Sequence, residues 1–220
     1  MKIVVLGATG TTGQLVIEEA LSKNHEVIAF VRRANVINAQ KGLTIYQGSI
    51  EDQTGLYNCF TGADAVISCL GQRPSLRAFI KGTDLQQRTL PKVISAINEA
   101  KVNRFVLMSS FGSGDSAEKS SLFIKTFLYS LIAKKMFDDK AIAEKSLSKC
   151  NANWTAVYPV TLKKGPANPS SDLVLLDTVR KVPGIPRLPF ANVAKSLVEL
   201  VSDKNRSAQK LLLTTKGGWL

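Results

Sequence analysis

Short apolar runs alternate along the chain with segments of helical periodicity. Residues 3–6 are continuously apolar, and in residues 14–21 apolar side chains recur every three to four positions. Continuous apolar runs of this length are typical of strands that are buried on both faces, whereas the second pattern is typical of an amphipathic helix. The chain is therefore predicted to begin with a strand, a turn and a helix.

The same alternation continues to the end of the chain. Further strands are predicted at 26–31, 43–47, 65–70, 104–108, 154–158 and 210–213, and further helices at 53–60, 85–100, 134–149 and 193–202. Strands that alternate with helices favour a doubly wound parallel sheet with helices on both faces, a three-layer α/β/α fold. A length of 220 residues without linker or internal repeat predicts a single domain, 1–220.

The turn between the first strand and the first helix is rich in glycine. Its sequence is Gly7-Ala8-Thr9-Gly10-Thr11-Thr12-Gly13. Glycines at such a turn let the backbone approach a pyrophosphate closely, and the unpaired N–H groups and positive dipole end of the helix attract the anion. The position of this turn between a strand and a helix predicts a dinucleotide site.

Two arginines, Arg32 and Arg33, end the second predicted strand. An NAD-preferring site offers an acidic residue to the ribose hydroxyls at this position, whereas guanidinium groups bind a 2′-phosphate through charge-assisted hydrogen bonds. The pair therefore favours NADPH/NADP over its unphosphorylated counterpart. The alternative is that both arginines are simply solvated at a strand end.

Ligands of doubly wound sheets bind beyond the carboxyl ends of the strands. The residues at the ends of the later strands are therefore further candidates: Gly48, Ser49, Ile50, Leu70, Gly71, Ser109, Ser110, Pro159, Val160 and Thr161. We expect the first group, up to Ile50, near the adenine, and the last, from Pro159, near the nicotinamide. For Gly71, Ser110 and Thr161 the alternative is an ordinary turn residue.

Composition excludes several classes of protein. The cysteines, Cys59, Cys69 and Cys150, are odd in number and form no C-x-x-C pattern, so neither a disulfide framework nor a metal site is predicted. The one histidine, His25, precedes the second strand. A Ser-His-Asp triad would need this histidine at the opposite end of the strands, which argues against a hydrolase.

The formal net charge of +12 is spread along the sequence and forms no basic tract. It either raises the local concentration of an anionic cofactor and substrate or is a generally solvated surface. No nucleic-acid-binding motif is present, and no apolar run approaches the ~20 residues that span a bilayer. We therefore expect a cytoplasmic protein whose partner is a small-molecule substrate, with no membrane or nucleic-acid partner.

Taken together, these motifs resemble the atypical short-chain dehydrogenase/reductase family, and most of all its NmrA-like and biliverdin reductase B (flavin reductase)-like group. The resemblance rests on the glycine turn, the strand ending in Arg32 and Arg33, residues 48–50, residues 65–71, Ser109-Ser110 and Tyr158-Pro159. It implies a Rossmann-like domain with NADPH as cofactor. It also implies phosphate contacts at Gly7, Thr9, Gly10, Thr12 and Gly13, a 2′-phosphate contact at the arginine pair, and a substrate contact at Ser110.

The same resemblance implies reduction of a flat conjugated acceptor such as a flavin, a quinone or a tetrapyrrole. The biliverdin reductase group has a histidine after its late Pro-Pro, and here Val160 and Thr161 follow Pro159 instead, which argues against a biliverdin-specific role. The Tyr-x-x-x-Lys dyad of short-chain dehydrogenases is also missing: Tyr57, Tyr129 and Tyr158 are followed four positions later by Thr61, Ala133 and Leu162.

An extended conjugated acceptor stabilises the incoming electron pair itself, so the sequence predicts direct hydride transfer with no obligatory protein acid. Two alternatives remain open: a non-catalytic NADP(H)-binding redox sensor of NmrA-like type, and a nucleotide-sugar epimerase or dehydratase. Residues 111–136 are predicted to form a lid or wall of the substrate side, or else a core or subunit-interface helix. The part of the chain from about residue 159 is assigned to the same side. The sequence does not predict an oligomeric state.

Overall fold

A computed structural model describes residues 1–71, 84–120 and 134–220 of the chain, with only the backbone of residues 134–136. The helices are α1 (Thr11–Ser22), α2 (Gln53–Phe60), α3 (Leu85–Glu99), α4 (Lys134–Glu144) and α5 (Phe190–Ser202). The strands are β1 (Lys2–Leu6), β2 (Glu26–Val31), β3 (Leu43–Gln47), β4 (Ala65–Ser68), β5 (Arg104–Met108), β6 (Asn153–Pro159), β7 (Thr161–Lys163), β8 (Ser171–Leu175), β9 (Arg187–Pro189) and β10 (Gln209–Thr215).

Eight of these strands form one sheet in the order β3-β2-β1-β4-β5-β6-β10-β8. All neighbours pair in parallel except β8, which lies antiparallel to β10 at the edge. The predicted doubly wound α/β fold is therefore confirmed. The antiparallel edge strand and the small parallel ribbon of β7 and β9 were not predicted.

The helices cover both faces of this sheet. Across the sheet, the step from β1 to β2 runs one way and the steps from β3 to β4, β5 and β6 run the other way. Because such crossovers are right-handed, α1 lies on one face of the sheet and α2, α3 and α4 lie on the opposite face. Helix α5 packs against α1, and α3 packs against both α2 and α4. The central strands β1, β2, β4, β5 and β6 are almost wholly buried, which explains their largely apolar sequences.

Arg104 is a buried cation at the start of β5 and is 5% exposed. Its guanidinium donates to the carbonyl oxygens of Leu200 and Asn153, at 2.9 and 2.6 Å, and to the hydroxyl of Thr155 at 2.7 Å. Burial lowers the pKa of Arg104, and the charge of Asp203 opposes this shift. The side chain thus ties β5 and β6 to the end of α5.

Some element bounds differ from the predicted ones. Strand β4 ends at Ser68, and the predicted helix over 134–149 ends as an α-helix at Glu144 and continues as a 3-10 turn over Lys145–Lys149. Helix α5 begins at Phe190, three residues earlier than expected, directly after Pro189. Among the residues that the structure describes, no helix is long and apolar enough to cross a membrane.

Candidate active site at the carboxyl edge of the sheet

The predicted site residues lie along one edge of the sheet. Strands β1, β2, β3, β4, β5 and β6 run in the same direction, so the segments that follow them meet at their carboxyl ends. These segments contain the glycine turn, the arginine pair and every later candidate from Gly48 to Thr161. The structure therefore brings to one edge residues that are as far apart in the sequence as Gly7 and Thr161.

The glycine turn is a tight backbone cradle. Gly7 has a φ of +75°, and a Cβ at this position would lie 2.6 Å from the carbonyl oxygen of Cys69. The amide of Gly10 donates to the carbonyl oxygen of Gly7 at 3.0 Å, which closes the turn. A Cβ on Gly13 would run into that same carbonyl oxygen. Side chains are thus excluded where the backbone folds onto itself.

Helix α1 begins at Thr11, directly after this turn, with Gly10 as its extended N-cap residue. Gly10 has no side chain with which to cap the helix, so the first N–H groups of α1 are free of an intrahelical partner and face the edge. Thr11 is exposed, whereas Thr12 and Gly13 are buried against β1. The chemistry of this donor set fits an anionic pyrophosphate, because it combines free amides with a helix dipole.

Arg32 and Arg33 are both exposed at the end of β2. Within the described parts of the chain, no carboxylate or carbonyl group pairs with either guanidinium. The neighbouring Gly48 donates its amide to Val31 at 2.9 Å, which fixes the segment after β3 beside them. A Cβ on Gly48 would lie 2.8 Å from the ring of Phe30, so packing alone favours glycine at this position.

Ser49 and Ile50 continue the segment after Gly48. The hydroxyl of Ser49 is exposed and accepts from the amide of Glu51 at 3.2 Å, and Ile50 is half-buried and packs against the core. The short turn is therefore held by its own hydrogen bonds. Its outer surface is adjacent to the arginine pair and has the position that the sequence predicted for an adenine contact.

The end of β4 is held by a residue that sequence reasoning did not select. The side-chain amide of Gln86, on α3, donates to the carbonyl oxygen of Leu70 at 2.6 Å. The backbone amide of Gln86 donates in turn to the buried carboxylate of Asp139, as does that of Gln87, each at 3.0 Å. Beside Leu70, no described atom lies within 4 Å of a Cβ placed on Gly71.

Ser110 follows β5 and contacts a lysine. The ammonium nitrogen of Lys140, on α4, donates to the Oγ of Ser110 at 2.5 Å. Burial lowers the pKa of Lys140 to about 8, although the negative charges of Glu144 and Asp139 oppose this shift. A hydroxyl and a cation of unusually low pKa are thus joined at the carboxyl end of the sheet, a combination that is frequent at catalytic sites.

The hydroxyl of Ser109 is bound inside the protein. It is 2% exposed, and its hydroxyl donates to the carboxylate of Glu144 rather than facing the edge. The other oxygen of Glu144 accepts from the hydroxyl of Tyr158 at 2.6 Å. Burial and the adjacent carboxylate raise the pKa of Tyr158, so its phenol stays protonated. The side chain of Ser109 is thus engaged inside the protein, and its backbone amide donates to the carbonyl oxygen of Val157 at 2.8 Å.

The segment after β6 combines backbone and side-chain candidates. The carbonyl oxygen of Pro159 accepts from the amide of Phe111 at 2.9 Å, which holds the residues after β5 and β6 together. Val160 is buried, and its amide donates to Leu213 at 3.1 Å. Thr161 is exposed at the start of β7. Of these three predicted residues, Thr161 alone presents a free side-chain surface at the edge.

The predicted substrate-side segment over 111–136 is described only in part. Residues 111–120 form a turn with a 3-10 segment, Gly114–Ser116, while residues 121–133 lie outside the described residues. The turn is held by side chains, since the hydroxyl of Ser116 accepts from the amide of Gly112 at 2.9 Å. Phe137, on α4, would contact a Cβ on Gly112 at 3.4 Å.

Lys140 is the main functional candidate that the sequence did not reveal. The search for a Tyr-x-x-x-Lys dyad began from the tyrosines, and the residue four positions before Lys140 is Met136. A search from the lysines on the helix after the Ser110 strand would have found it. The chain thus has a lysine on this helix without a tyrosine at the dyad spacing.

Comparisons with known proteins identify the family of the chain. Residues 7–204 match the NAD(P)H-binding protein family. Isoflavone reductase homolog P3 of Arabidopsis thaliana is 33% identical over 122 residues, which are 50% of this chain and 35% of that protein. The chain spans about half the length of the curated relatives that it matches.

Solved structures show the same fold over nearly the whole chain. ChuY, an anaerobillin reductase from Escherichia coli O157:H7, has a TM-score of 0.77 and 21% identity, over 98% of this chain and 97% of its own. A short-chain dehydrogenase/reductase from Veillonella parvula, solved in complex with NADP, has a TM-score of 0.81 and 14% identity, over 100% and 96% of the two chains. The matched family and the shared fold confirm the resemblance drawn from the motifs: the chain belongs to the NAD(P)H-binding family.

Proposed function

We propose that the protein is an NADPH-dependent reductase that transfers hydride to a flavin, a quinone or another conjugated small-molecule acceptor. The observation that carries this proposal is the contact of Ser110 with Lys140, 2.5 Å long, at the carboxyl edge of the sheet. A protein that only binds the dinucleotide needs no desolvated lysine beside the substrate side. A reductase has a use for this lysine, because reduction adds a proton as well as a hydride.

The cofactor half of the proposal is supported by the glycine turn and the arginine pair. The pyrophosphate would be held by the free amides at the start of α1, and the 2′-phosphate by Arg32 and Arg33. Gly71 follows β4 at the same edge of the sheet and is a further candidate for a cofactor contact. When bound, NADPH supplies the hydride.

The acceptor half depends on Ser110, Lys140 and the exposed Thr161. Ser110 and Thr161 offer hydroxyl groups that can orient a ring by hydrogen bonding. Lys140 donates a proton from its ammonium to the reduced acceptor, and a pKa of about 8 makes this group a competent acid near neutral pH. This differs from the sequence-based expectation of a reaction without a protein acid. The relatives support a reductase as well, since the names of two of them describe reductases.

The test is oxidation of NADPH by the purified protein, followed as loss of nicotinamide absorbance with FMN, a quinone and an enone in separate assays. We expect turnover with at least one acceptor, slower turnover with NADH, and a strong decrease for Lys140→Met. Ser110→Ala should be slower by about tenfold, the usual effect of losing one orienting hydrogen bond in a site. No turnover with any acceptor, combined with a large difference in affinity between NADP⁺ and NADPH, would favour the redox-sensor alternative.

A further inference from the structure

Glu144 is a buried carboxylate whose two oxygens are both occupied by hydroxyl groups. The residue is 7% exposed. Its Oε2 accepts from Tyr158 at 2.6 Å, and its Oε1 accepts from Ser109 and lies 3.5 Å from the Oγ of Ser113. The hydroxyls of Ser109 and Ser113 are 3.0 Å apart. The carboxylate therefore joins α4 to β5, to β6 and to the turn after β5.

This cluster lies directly behind the Ser110–Lys140 contact. Ser109, which binds the carboxylate of Glu144, directly precedes Ser110 in the chain. Glu144 itself follows Lys140 by one helical turn, so the carboxylate is close to both residues of the contact. A small pocket lies between α3, α4 and the end of β5. It is lined by Lys140 and Glu144 together with Leu90, Leu107, Met108 and Ala143.

Around Lys140, the other charged groups that the structure describes are already engaged. Asp139, next to it on α4, accepts from the two backbone amides at the start of α3. Strands β5 and β6 contribute only neutral hydroxyl groups to this region, those of the two serines and of Tyr158. Asp115, from the turn after β5, is paired with Lys210 at 2.5 Å. Glu144 and Asp139 are thus the two carboxylates on α4 whose charges oppose the desolvation of Lys140, and Glu144 has the larger effect.

We propose that Glu144 is a positioning residue of the reductase site, which aligns Ser110 through Ser109 and keeps the ammonium of Lys140 protonated. This inference rests on the proposed function. Burial alone drives the pKa of Lys140 down, and the charge of Glu144 is the larger of the two opposing influences. The phenol of Tyr158 supports the arrangement, since its raised pKa keeps it a donor to the carboxylate.

The first experiment measures the protonation of Lys140 without the cofactor. Trace acetylation across a pH series, read by mass spectrometry of the peptide that contains Lys140, reports the fraction of free amine. Glu144→Gln should move the midpoint of this titration down by on the order of one pH unit, the effect of one charge at about 6 Å in a medium of intermediate dielectric. Asp138→Asn is the matched control, because it removes the same charge from an exposed position on α4 and should leave the midpoint in place.

The second experiment measures turnover of NADPH with the best acceptor. The falling part of the pH profile should move to lower pH in Glu144→Gln and not in Asp138→Asn, and lowering the pH should restore part of the lost rate. Ser109→Ala and Tyr158→Phe keep the charge of Glu144 but release its carboxylate. Each is expected to reduce turnover by about threefold to tenfold, with an unchanged dissociation constant for NADPH.

Two results would overturn the inference: a folded Glu144→Gln protein with the wild-type acetylation midpoint, or Ser109→Ala and Tyr158→Phe proteins with wild-type turnover. If Glu144→Gln does not fold, the turnover of Ser109→Ala and of Tyr158→Phe tests the positioning role of Glu144. Failure of the proposed function gives a different result, since a wild-type protein that oxidises no NADPH would still have a Lys140 midpoint that responds to Glu144.

Discussion

The ammonium nitrogen of Lys140 lies 2.5 Å from the hydroxyl oxygen of Ser110, and this contact joins α4 to the end of β5. The lysine is held between two opposite influences, the desolvation that favours its neutral form and the nearby carboxylates that favour its charged form. Its protonation state is therefore sensitive to pH in the range where enzymes work. Measurable consequences for catalysis follow.

Turnover is expected to be constant at low pH and to fall above a pH of about 8, the lowered pKa of Lys140. The sign follows from the role of the group: only the ammonium donates a proton, and it is lost as the pH rises through its pKa, so the rate falls by about tenfold for each further unit. Measurement of kcat across a pH series checks this. Lys140→Arg should have a low rate without this decline, because a guanidinium stays protonated and does not give up its proton.

A flat wild-type profile across the same range would contradict this role for Lys140. Ser110→Ala is the control for general damage to the site. It is expected to lower the rate at every pH and to leave the decline in place, since the ammonium is still present. A loss of the decline in Ser110→Ala would mean that the hydroxyl, rather than the lysine, sets the profile.

Cofactor preference should reside in Arg32 and Arg33. Replacing both by alanine is expected to weaken NADPH by at least tenfold, because a charge-assisted hydrogen bond contributes about 1.5–3 kcal/mol, and to leave the affinity for NADH nearly unchanged. Isothermal titration calorimetry with both nucleotides measures the difference. Lys41→Ala removes an exposed charge before β3, at the opposite edge of the sheet, and tests for a general effect of net charge. Equal losses for NADPH and NADH would count against a 2′-phosphate contact.

Gly13→Ala should disrupt the glycine turn. The added Cβ would run into the carbonyl oxygen of Gly7 and lie 2.9 Å from the Cα of Ala8, both of them backbone atoms that cannot move aside cheaply. We expect a loss of about 2 kcal/mol in the free energy of unfolding and a strongly reduced affinity for NADPH. Urea unfolding and calorimetry measure the two effects.

Gly71→Ala is the informative comparison for that variant. A Cβ there meets no described protein atom, so the free energy of unfolding should stay unchanged. The affinity for NADPH should nevertheless fall, since the space beside Gly71 is the one proposed for the cofactor. If the affinity stays the same, Gly71 is only a turn residue.

Replacing Arg104 is expected to destabilise the protein more than replacing an exposed arginine. In Arg104→Met the acceptors at Leu200, Asn153 and Thr155 lose their common donor inside the protein, which should destabilise the fold by about 3 kcal/mol. Urea denaturation measures this. Arg88→Met is the matched control, because Arg88 is exposed and its ion pairs with Glu51 and Asp84 contribute less than about 1 kcal/mol. Similar losses in both variants would refute the distinction.

The sequence predicted the elements that are encoded locally. Strands β1, β2 and β4 are buried on both faces and therefore have continuous apolar sequences. The glycine turn is recognisable in the sequence because its backbone leaves no room for side chains. Strands β7 and β9 have three residues each and contain lysine, arginine or proline, so they have no readable periodicity. Strand β8 is a half-buried edge strand, and its pairing with β10 depends on the finished sheet.

The candidate site was predictable on its cofactor side and only partly on its substrate side. The residues after each strand follow from the topology alone. The partners of Ser110 and Ser109 do not, because Lys140 and Glu144 lie 30 and 35 positions away and meet the serines only when α4 packs beside β5. No local pattern signals that contact. Ser109 was accordingly assigned to the cofactor, although its hydroxyl belongs to the internal cluster.

Three residues in one short stretch of α4 each bind a different part of the protein. Asp139 accepts hydrogen bonds from the start of α3, Lys140 donates to Ser110, and Glu144 accepts from Ser109 and Tyr158. A single residue inserted or deleted between Asp139 and Glu144 would rotate the residues after it by about 100° around the helix axis. Lys140 and Glu144 would then no longer face the same part of the site. Homologues that share this chemistry should therefore vary in length before Asp139 or beyond Glu144, and keep the interval itself free of gaps.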